Sequence, residues 1–159
     1  FSSPSAAPAI QLAGATGWDL ATISTFDSIR NVELNEAVGH YFIDVGSGPF
    51  TATLTWDRQT SGTVSGINDL DLMLYNSDGA LVDSSASKVD NIEQMVEAGL
   101  APGLYDLEVV KHGDQVGKIS DAETYALAWQ GVAAAPVPEP ASVALLGLGV
   151  VGLIRRRRR

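Results

Sequence analysis

Phe50-Thr51-Ala52-Thr53-Leu54-Thr55-Trp56 decides the fold of this chain. Phe50, Ala52, Leu54 and Trp56 alternate with Thr51, Thr53 and Thr55, and a side-chain period of two belongs to a strand with one buried face. Threonine on the other face is β-branched, which suits an extended backbone in contact with water. A helix would scatter the four apolar residues around its circumference.

The same period recurs on both sides of this strand. Upstream, His40-Tyr41-Phe42-Ile43-Asp44-Val45 reads as a short strand closed by Gly46-Ser47-Gly48-Pro49. Downstream, residues 57–67 form a polar loop with Gly62 and Gly66. Asp69-Leu70-Asp71-Leu72-Met73-Leu74-Tyr75 then alternates with Leu70, Leu72 and Leu74 inward. Asn76-Ser77-Asp78-Gly79 is a hairpin turn, because Asp-Gly supplies the positive φ such turns need. Ala80-Leu81-Val82-Asp83-Ser84 is the return strand, and Asn91-Ile92-Glu93-Gln94-Met95-Val96 is a further candidate. A helix over 89–98 is the alternative there, and Gly99 and Pro102 would keep it short. Leu104-Tyr105-Asp106-Leu107-Glu108-Val109-Val110 sets Tyr105, Leu107 and Val109 opposite Asp106 and Glu108. After a polar loop over 111–122, Tyr125-Ala126-Leu127-Ala128-Trp129 places Tyr125, Leu127 and Trp129 on one side.

About seven or eight short strands with turn signals between them predict an all-β domain, an antiparallel β-sandwich of jelly-roll type, over residues 17–130. No stretch has the amphipathic period and length of a crossover helix, so parallel βαβ units are excluded. Residues 1–16, rich in Ser, Pro, Ala and Gly, read as a linker that enters the domain near Gly17-Trp18-Asp19. Trp18, Leu20 and Ile23 are the first apolar anchors, and 24–38 carry no assignable element. Residues 131–136 are a second, Ala-rich linker.

At 159 residues, 45% of them hydrophobic, the chain has room for one globular domain. Five of its ten basic residues are the terminal arginines. Residues 1–154 therefore hold five basic against nineteen acidic side chains, a net charge of -14. That balance excludes nucleic acid as a partner, since phosphate contacts require Lys and Arg. The absence of cysteine removes disulfides, thiolate metal sites and thiol nucleophiles. The chain opens at Phe1 without a signal peptide, and export requires one, which points to a longer precursor.

The side chains offer little for catalysis. A serine-type triad needs a histidine between a nucleophile and an orienting acid. The two histidines, His40 at a strand opening and His112 in a polar turn, read as solvated surface residues, and no Gly-x-Ser-x-Gly is present. Nothing singles out a carboxylate pair for glycoside hydrolysis. For metals, calcium is the option, because it takes oxygen ligands. Asp69 and Asp71 share a strand face about 7 Å apart, where two carboxylates repel unless a cation or separate donors relieve them. Asp90 is the third ligand in this reading, with Asp57, Asn68, Asn91 and Glu93 within reach from loops. The alternative is that these carboxylates accept backbone N–H bonds and brace loops. Trp18, Trp56 and Trp129 are in phase with aliphatic neighbours and read as core, whereas Tyr41 and Tyr75 are out of phase and read as exposed.

Leu54-Thr55-Trp56-Asp57, Asn68-Asp69-Leu70-Asp71-Leu72, Val89-Asp90-Asn91-Ile92-Glu93 and Pro102-Gly103-Leu104-Tyr105 together resemble the β-sandwich that follows the catalytic domain in secreted subtilisin-like serine peptidases, and the related pre-peptidase C-terminal domains. Gly17-Trp18-Asp19-Leu20 and Leu54-Thr55-Trp56-Asp57-Arg58 are similar to a domain of bacterial surface proteins. The resemblance covers roughly residues 40–130 and implies a fold and an extracytoplasmic setting, without catalysis by this domain.

The last twenty-three residues differ in kind. Val137-Pro138-Glu139-Pro140 precedes an uncharged stretch from Ala141 through Leu145, Leu148 and Val151 to Ile154, followed by Arg155, Arg156, Arg157, Arg158 and Arg159. As a helix the apolar stretch is about 21 Å long, short of a hydrocarbon core of about 30 Å. Five arginines on its far side favour a marginal membrane helix with the domain outside, and snorkelling and local thinning absorb the shortfall. The two prolines keep the preceding step extended, where an enzyme can read it. Motif, apolar span and arginine cluster in this order are similar to the PEP-CTERM sorting signal of Gram-negative bacteria. That resemblance implies transient insertion in the inner membrane, processing near Pro138-Glu139-Pro140 by an exosortase, and display or release among exopolysaccharide. The functional expectation is a non-enzymatic exported surface or matrix protein. The alternatives are the accessory domain of a secreted peptidase whose catalytic part lies upstream, and a sugar- or ligand-binding module.

Overall fold

A computed structural model describes residues 12–24, 29–31, 36–61, 64–112 and 120–135. The strands in chain order are β1 (Leu12–Ala13), β2 (Thr16–Ser24), β3 (Ile29–Asn31), β4 (Glu36–Val45), β5 (Gly48–Trp56), β6 (Gln59–Ser61), β7 (Val64–Gly66), β8 (Leu70–Asn76), β9 (Leu81–Ser85), β10 (Ile92–Leu100), β11 (Gly103–Lys111) and β12 (Ala122–Gln130). Among the described residues there is no helix.

The strands form a β-sandwich. One sheet runs β1-β4-β11-β8-β9, with β3 also paired to β4, and the other runs β10-β5-β12-β2. Their pairings are antiparallel except for the short β1–β4 contact, which is parallel. Pairing thus begins at Leu12, ahead of the expected entry at Gly17. It persists to Ala133, which bridges Val45 within the Ala-rich stretch after β12. The loop expected over 57–67 contains the small hairpin β6–β7.

The alternation seen in the sequence builds the core. Phe50, Ala52, Leu54 and Trp56 from β5, Leu70, Leu72 and Leu74 from β8, Tyr105, Leu107 and Val109 from β11, and Tyr125, Leu127 and Trp129 from β12 are buried in one cluster. The β8–β9 hairpin turns at Gly79, where φ is +76°, a value that favours glycine. Asn76 Oδ1 accepts the backbone N–H groups of Asp78 and Ala80 at 3.0 and 2.9 Å and fixes that turn.

Two apolar anchors are placed differently from the sequence expectation. Trp18 and Leu20 point away from the core, and Trp18 is 77% exposed, whereas Ile23 is buried as expected. The phase of β2 is set by its other face. Gly17 lies against the buried ring of Trp129, where a Cβ would come within 2.4 Å of Cζ2. Asp19 receives a hydrogen bond from the Tyr41 hydroxyl at 2.7 Å. Tyr41, expected at the surface, therefore points inward. Its hydroxyl also lies 2.7 Å from that of Tyr125, and burial raises both phenols, that of Tyr41 far above its ordinary range.

Buried polar groups close one end and one edge of the sandwich. Trp56 Nε1 donates to the Asn68 carbonyl at 2.8 Å, and Asn68 Nδ2 donates to Glu123 and to Ser120 Oγ. Glu93 points inward from β10, at the edge of one sheet. It accepts from Ser85 Oγ on β9, at the edge of the other, and from the Ser87 N–H at 2.7 Å. This carboxylate links the two sheets at their free margins.

Candidate functional site

The outer face of the six-stranded sheet carries the densest chemistry among the described residues. β4 and β11 pair in continuous register, with His40 opposite Glu108 and Phe42 opposite Asp106. β8 continues the rows, with Met73 opposite Glu108 and Tyr75 opposite Asp106. Because Tyr105, Leu107 and Val109 fill the core, alternation sends Asp106 and Glu108 outward together. The register then delivers His40 beside them. His40 Nδ1 lies 2.9 Å from Asp106 Oδ2 and 3.6 Å from Glu108 Oε1. Its ring stacks on Phe42 with centroids 5.9 Å apart and planes 7° from parallel.

Asp106 Oδ1 is buried without a hydrogen-bond partner. Beside the three side chains runs a cleft of about 390 Å³, lined among others by Phe42, Tyr75, Asn76 and Leu104. Tyr75, expected at the surface, is half-buried in its wall.

A second histidine cluster occupies the same face. His112 is not a solvated surface residue. Its Nε2 lies 2.8 Å from Asp71 Oδ2 and its Nδ1 3.1 Å from Glu36 Oε1. The hydrogen bond to Asp71 is the largest of the influences that raise its pKa, against a lowering from burial. The backbone N–H of His112 donates to the Asp69 carbonyl at 3.0 Å, which seats the ring over the two strands.

Of the expected calcium ligands, Asp71 is engaged by His112, and Asp90 accepts from Ser87 Oγ at 2.9 Å. Asp69 keeps one buried carboxylate oxygen without a hydrogen-bond partner, and burial, reinforced by Asp71, raises its pKa. Glu93 joins the group electrostatically, its pKa raised first by burial. Positive charge beside Asp71, the part sequence reasoning gave to calcium, is available from the His112 imidazolium.

Sequence reasoning missed the His40 cluster. It had Asp106 and Glu108 on one face and His40 in a strand, but no single strand records which neighbour lies across the ladder. The Trp residues divide as well. Trp56 and Trp129 are core, and Trp18 stands on the outer face of the four-stranded sheet with Leu20.

Val137, Pro138, Glu139, Pro140, the apolar stretch 141–154 and the five arginines lie outside the described residues. Among the described residues no helix is long and apolar enough to cross a membrane. Residues 136–159 match the family model of the PEP-CTERM protein-sorting motif. The chain ends in a PEP-CTERM sorting signal. Such a signal marks an exported protein that is anchored at the membrane before processing and is recognised by exosortase, a membrane processing enzyme. No curated protein matches the chain.

The fold reaches close to that signal. Gly131 N donates to the Ala15 carbonyl at 2.8 Å and Gly46 N to the Val132 carbonyl at 2.7 Å, so the chain is held to the sandwich through Ala133. From Ala133 to Glu139 a fully extended chain spans at most about 20 Å.

Proposed function

We propose that this chain is a non-enzymatic exported protein whose sandwich is displayed at the cell surface or in the extracellular matrix after its sorting signal is processed. The sorting motif at residues 136–159 carries this reading. The short span between Ala133 and the motif supports it, because processing there would free an intact sandwich with only a brief tail. Loss of the five arginines would leave an acidic domain whose net charge favours solubility in an aqueous exterior.

The test follows the tail through the cell. Pro138→Ala with Pro140→Ala in the exported chain should leave the full-mass precursor in the membrane fraction, while the unaltered chain loses its C-terminal segment and moves outward. Equal processing of both would overturn the sorting role of these residues. Hydrolysis of peptide or glycoside substrates by the purified chain would overturn the non-enzymatic part.

A second reading has its own support. Trp18 is 77% exposed on a sheet face flanked by Ala126, Ala128 and the threonines of β5. A flat face with a bare indole suits stacking on sugar rings, and exopolysaccharide is the ligand that the destination favours. Binding of surface polysaccharide that is lost in Trp18→Ala would support this reading. Equal binding by the two chains would count against it.

A further inference from the structure

We infer that His40, Asp106 and Glu108 form a binding site for a divalent transition-metal ion of the zinc class, on the outer face of β4 and β11. The first support is distance. One ligating atom from each residue can be chosen so that all three lie within 4.8 Å of one another. Ligands held about 2.0–2.1 Å from a tetrahedral ion stand about 3.3 Å apart. The two separations from His40 Nδ1, 2.9 Å to Asp106 and 3.6 Å to Glu108, bracket that edge. Small side-chain adjustments would therefore let an ion take the place of the proton shared between imidazole and carboxylate.

The second support is preorganisation. All three residues stand on two strands paired without interruption from Gly103–Val45 to Lys111–Ala37. The Phe42 ring stacked on His40 fixes the imidazole plane. Sites on paired strands hold ligand geometry better than sites on loops. The third support is the state of Asp106. Its Oδ1 is shielded from water and has no hydrogen-bond partner, although Oδ2 is engaged. A buried acceptor left in this way calls for an explanation, and a cation held by both oxygens of this carboxylate would satisfy it.

The donor set selects the ion. One imidazole nitrogen and two carboxylates suit zinc and its first-row neighbours, whereas calcium takes six to eight oxygens. Two carboxylates and a neutral imidazole carry two negative charges, which balance a divalent cation. Three protein ligands leave a fourth tetrahedral position, and the 42% exposure of the His40 side chain opens this site to solvent. The adjoining cleft walled by Phe42, Tyr75 and Leu104 would receive an oxygen donor at that position.

The chain has two histidines, so two imidazole signals report on the two clusters separately. The full-length chain in detergent micelles is titrated with zinc and followed by imidazole NMR and calorimetry. The expected result is one ion per chain with the His40 resonances shifted and those of His112 unmoved. Folded His40→Ala, and separately Asp106→Asn combined with Glu108→Gln, should bind zinc more than about 100-fold more weakly, while His112→Ala retains uptake. No uptake at micromolar zinc, a shift confined to His112, or a folded His40→Ala that binds as tightly as the unaltered chain would each overturn the site. If His40→Ala does not fold, the NMR of the unaltered chain decides.

Discussion

The two outer faces of the sandwich are built from the same alternating strands and share almost nothing else. The six-stranded sheet turns Glu36, His40, Asp71, Asp106, Glu108 and His112 outward, and ties them into two histidine–carboxylate clusters. Val38, Glu108 and Val110 are buried there even though their inward neighbours fill the core. The four-stranded sheet turns out Trp18, Leu20, Thr51, Ala126, Ala128 and Val96, and Trp18 and Val96 are three-quarters exposed. The inner faces of a sandwich must both be apolar, so they are interchangeable in chemistry. The outer faces are under no such demand, and there this molecule separates a charged, organised surface from a flat, neutral one.

The inner faces should break alike. Leu107 and Leu127 come from opposite sheets and each is essentially buried. Replacing either with Ala removes buried methyl groups and leaves a cavity, at a cost of about 2–5 kcal/mol. Urea denaturation should give similar losses for both. A markedly smaller loss for one would mean that its sheet relaxes around the cavity and that the two inner faces are not equivalent.

The outer faces should break differently. His112→Ala removes the ring that stands between Asp71 and Glu36, and loss of a hydrogen bond to a charged partner costs about 1.5–3 kcal/mol. The sign of the pH dependence follows from the raised pKa of His112. The folded state holds its proton more tightly than the unfolded state. Its contribution is complete below the ordinary histidine value of about 6.5 and is lost as pH rises through the raised value. Asp69 and Glu93, also raised, act with the same sign in the acid range, since burial favours their neutral forms. Stability should therefore fall as pH rises across both windows. Melts of the unaltered chain and His112→Ala should converge above the His112 transition, and a constant gap at all pH values would refute the assignment.

Most of the inner face was legible before the structure, because alternation at 50–56, 70–74, 105–109 and 125–129 is a local property of the chain. The phase of β2 was not. Asp19 and Gly17 look outward-facing by polarity, and they point inward because a tyrosine hydroxyl from β4 and the Trp129 ring await them. Glu93, read as a calcium ligand reached from a loop, instead points inward from β10 to Ser85 at the edge of the other sheet. His40 met Asp106 and Glu108 through a register between strands some sixty residues apart in sequence. Contacts of that kind are invisible to period and composition. The sorting signal sits at the opposite extreme, being a linear address carried by three consecutive segments.

The Asp69–Asp71 pair sharpens the contrast within the charged face. With His112 bonded to Asp71, calcium should shift the melting temperature of the unaltered chain little relative to chelator. In His112→Ala the two carboxylates lose their cation, and calcium should then raise the melting temperature by a few degrees, each kcal/mol corresponding to roughly 2–8 °C for a domain of about this size. An equal rise in both chains would show that calcium sits beside these aspartates with the imidazole in place.

The smallest effect is expected on the neutral face, and its smallness makes it informative. Trp18 packs little and is 77% exposed, so Trp18→Ala should change stability by no more than about 0.5 kcal/mol. Natural chains rarely leave an indole bare without a partner, because tryptophan contributes most where it is covered. If the flat face stacks on polysaccharide, the same substitution should weaken binding about tenfold or more, equivalent to about 1.4 kcal/mol. Affinity electrophoresis in gels containing the polysaccharide reads that loss directly, with His40→Ala as the control on the opposite face. Retardation lost in the first chain and kept in the second would assign the sugar to the neutral face. The reverse pattern would move recognition to the charged one, and a Trp18→Ala chain that melts several degrees lower would mean that the indole is covered in the native state after all.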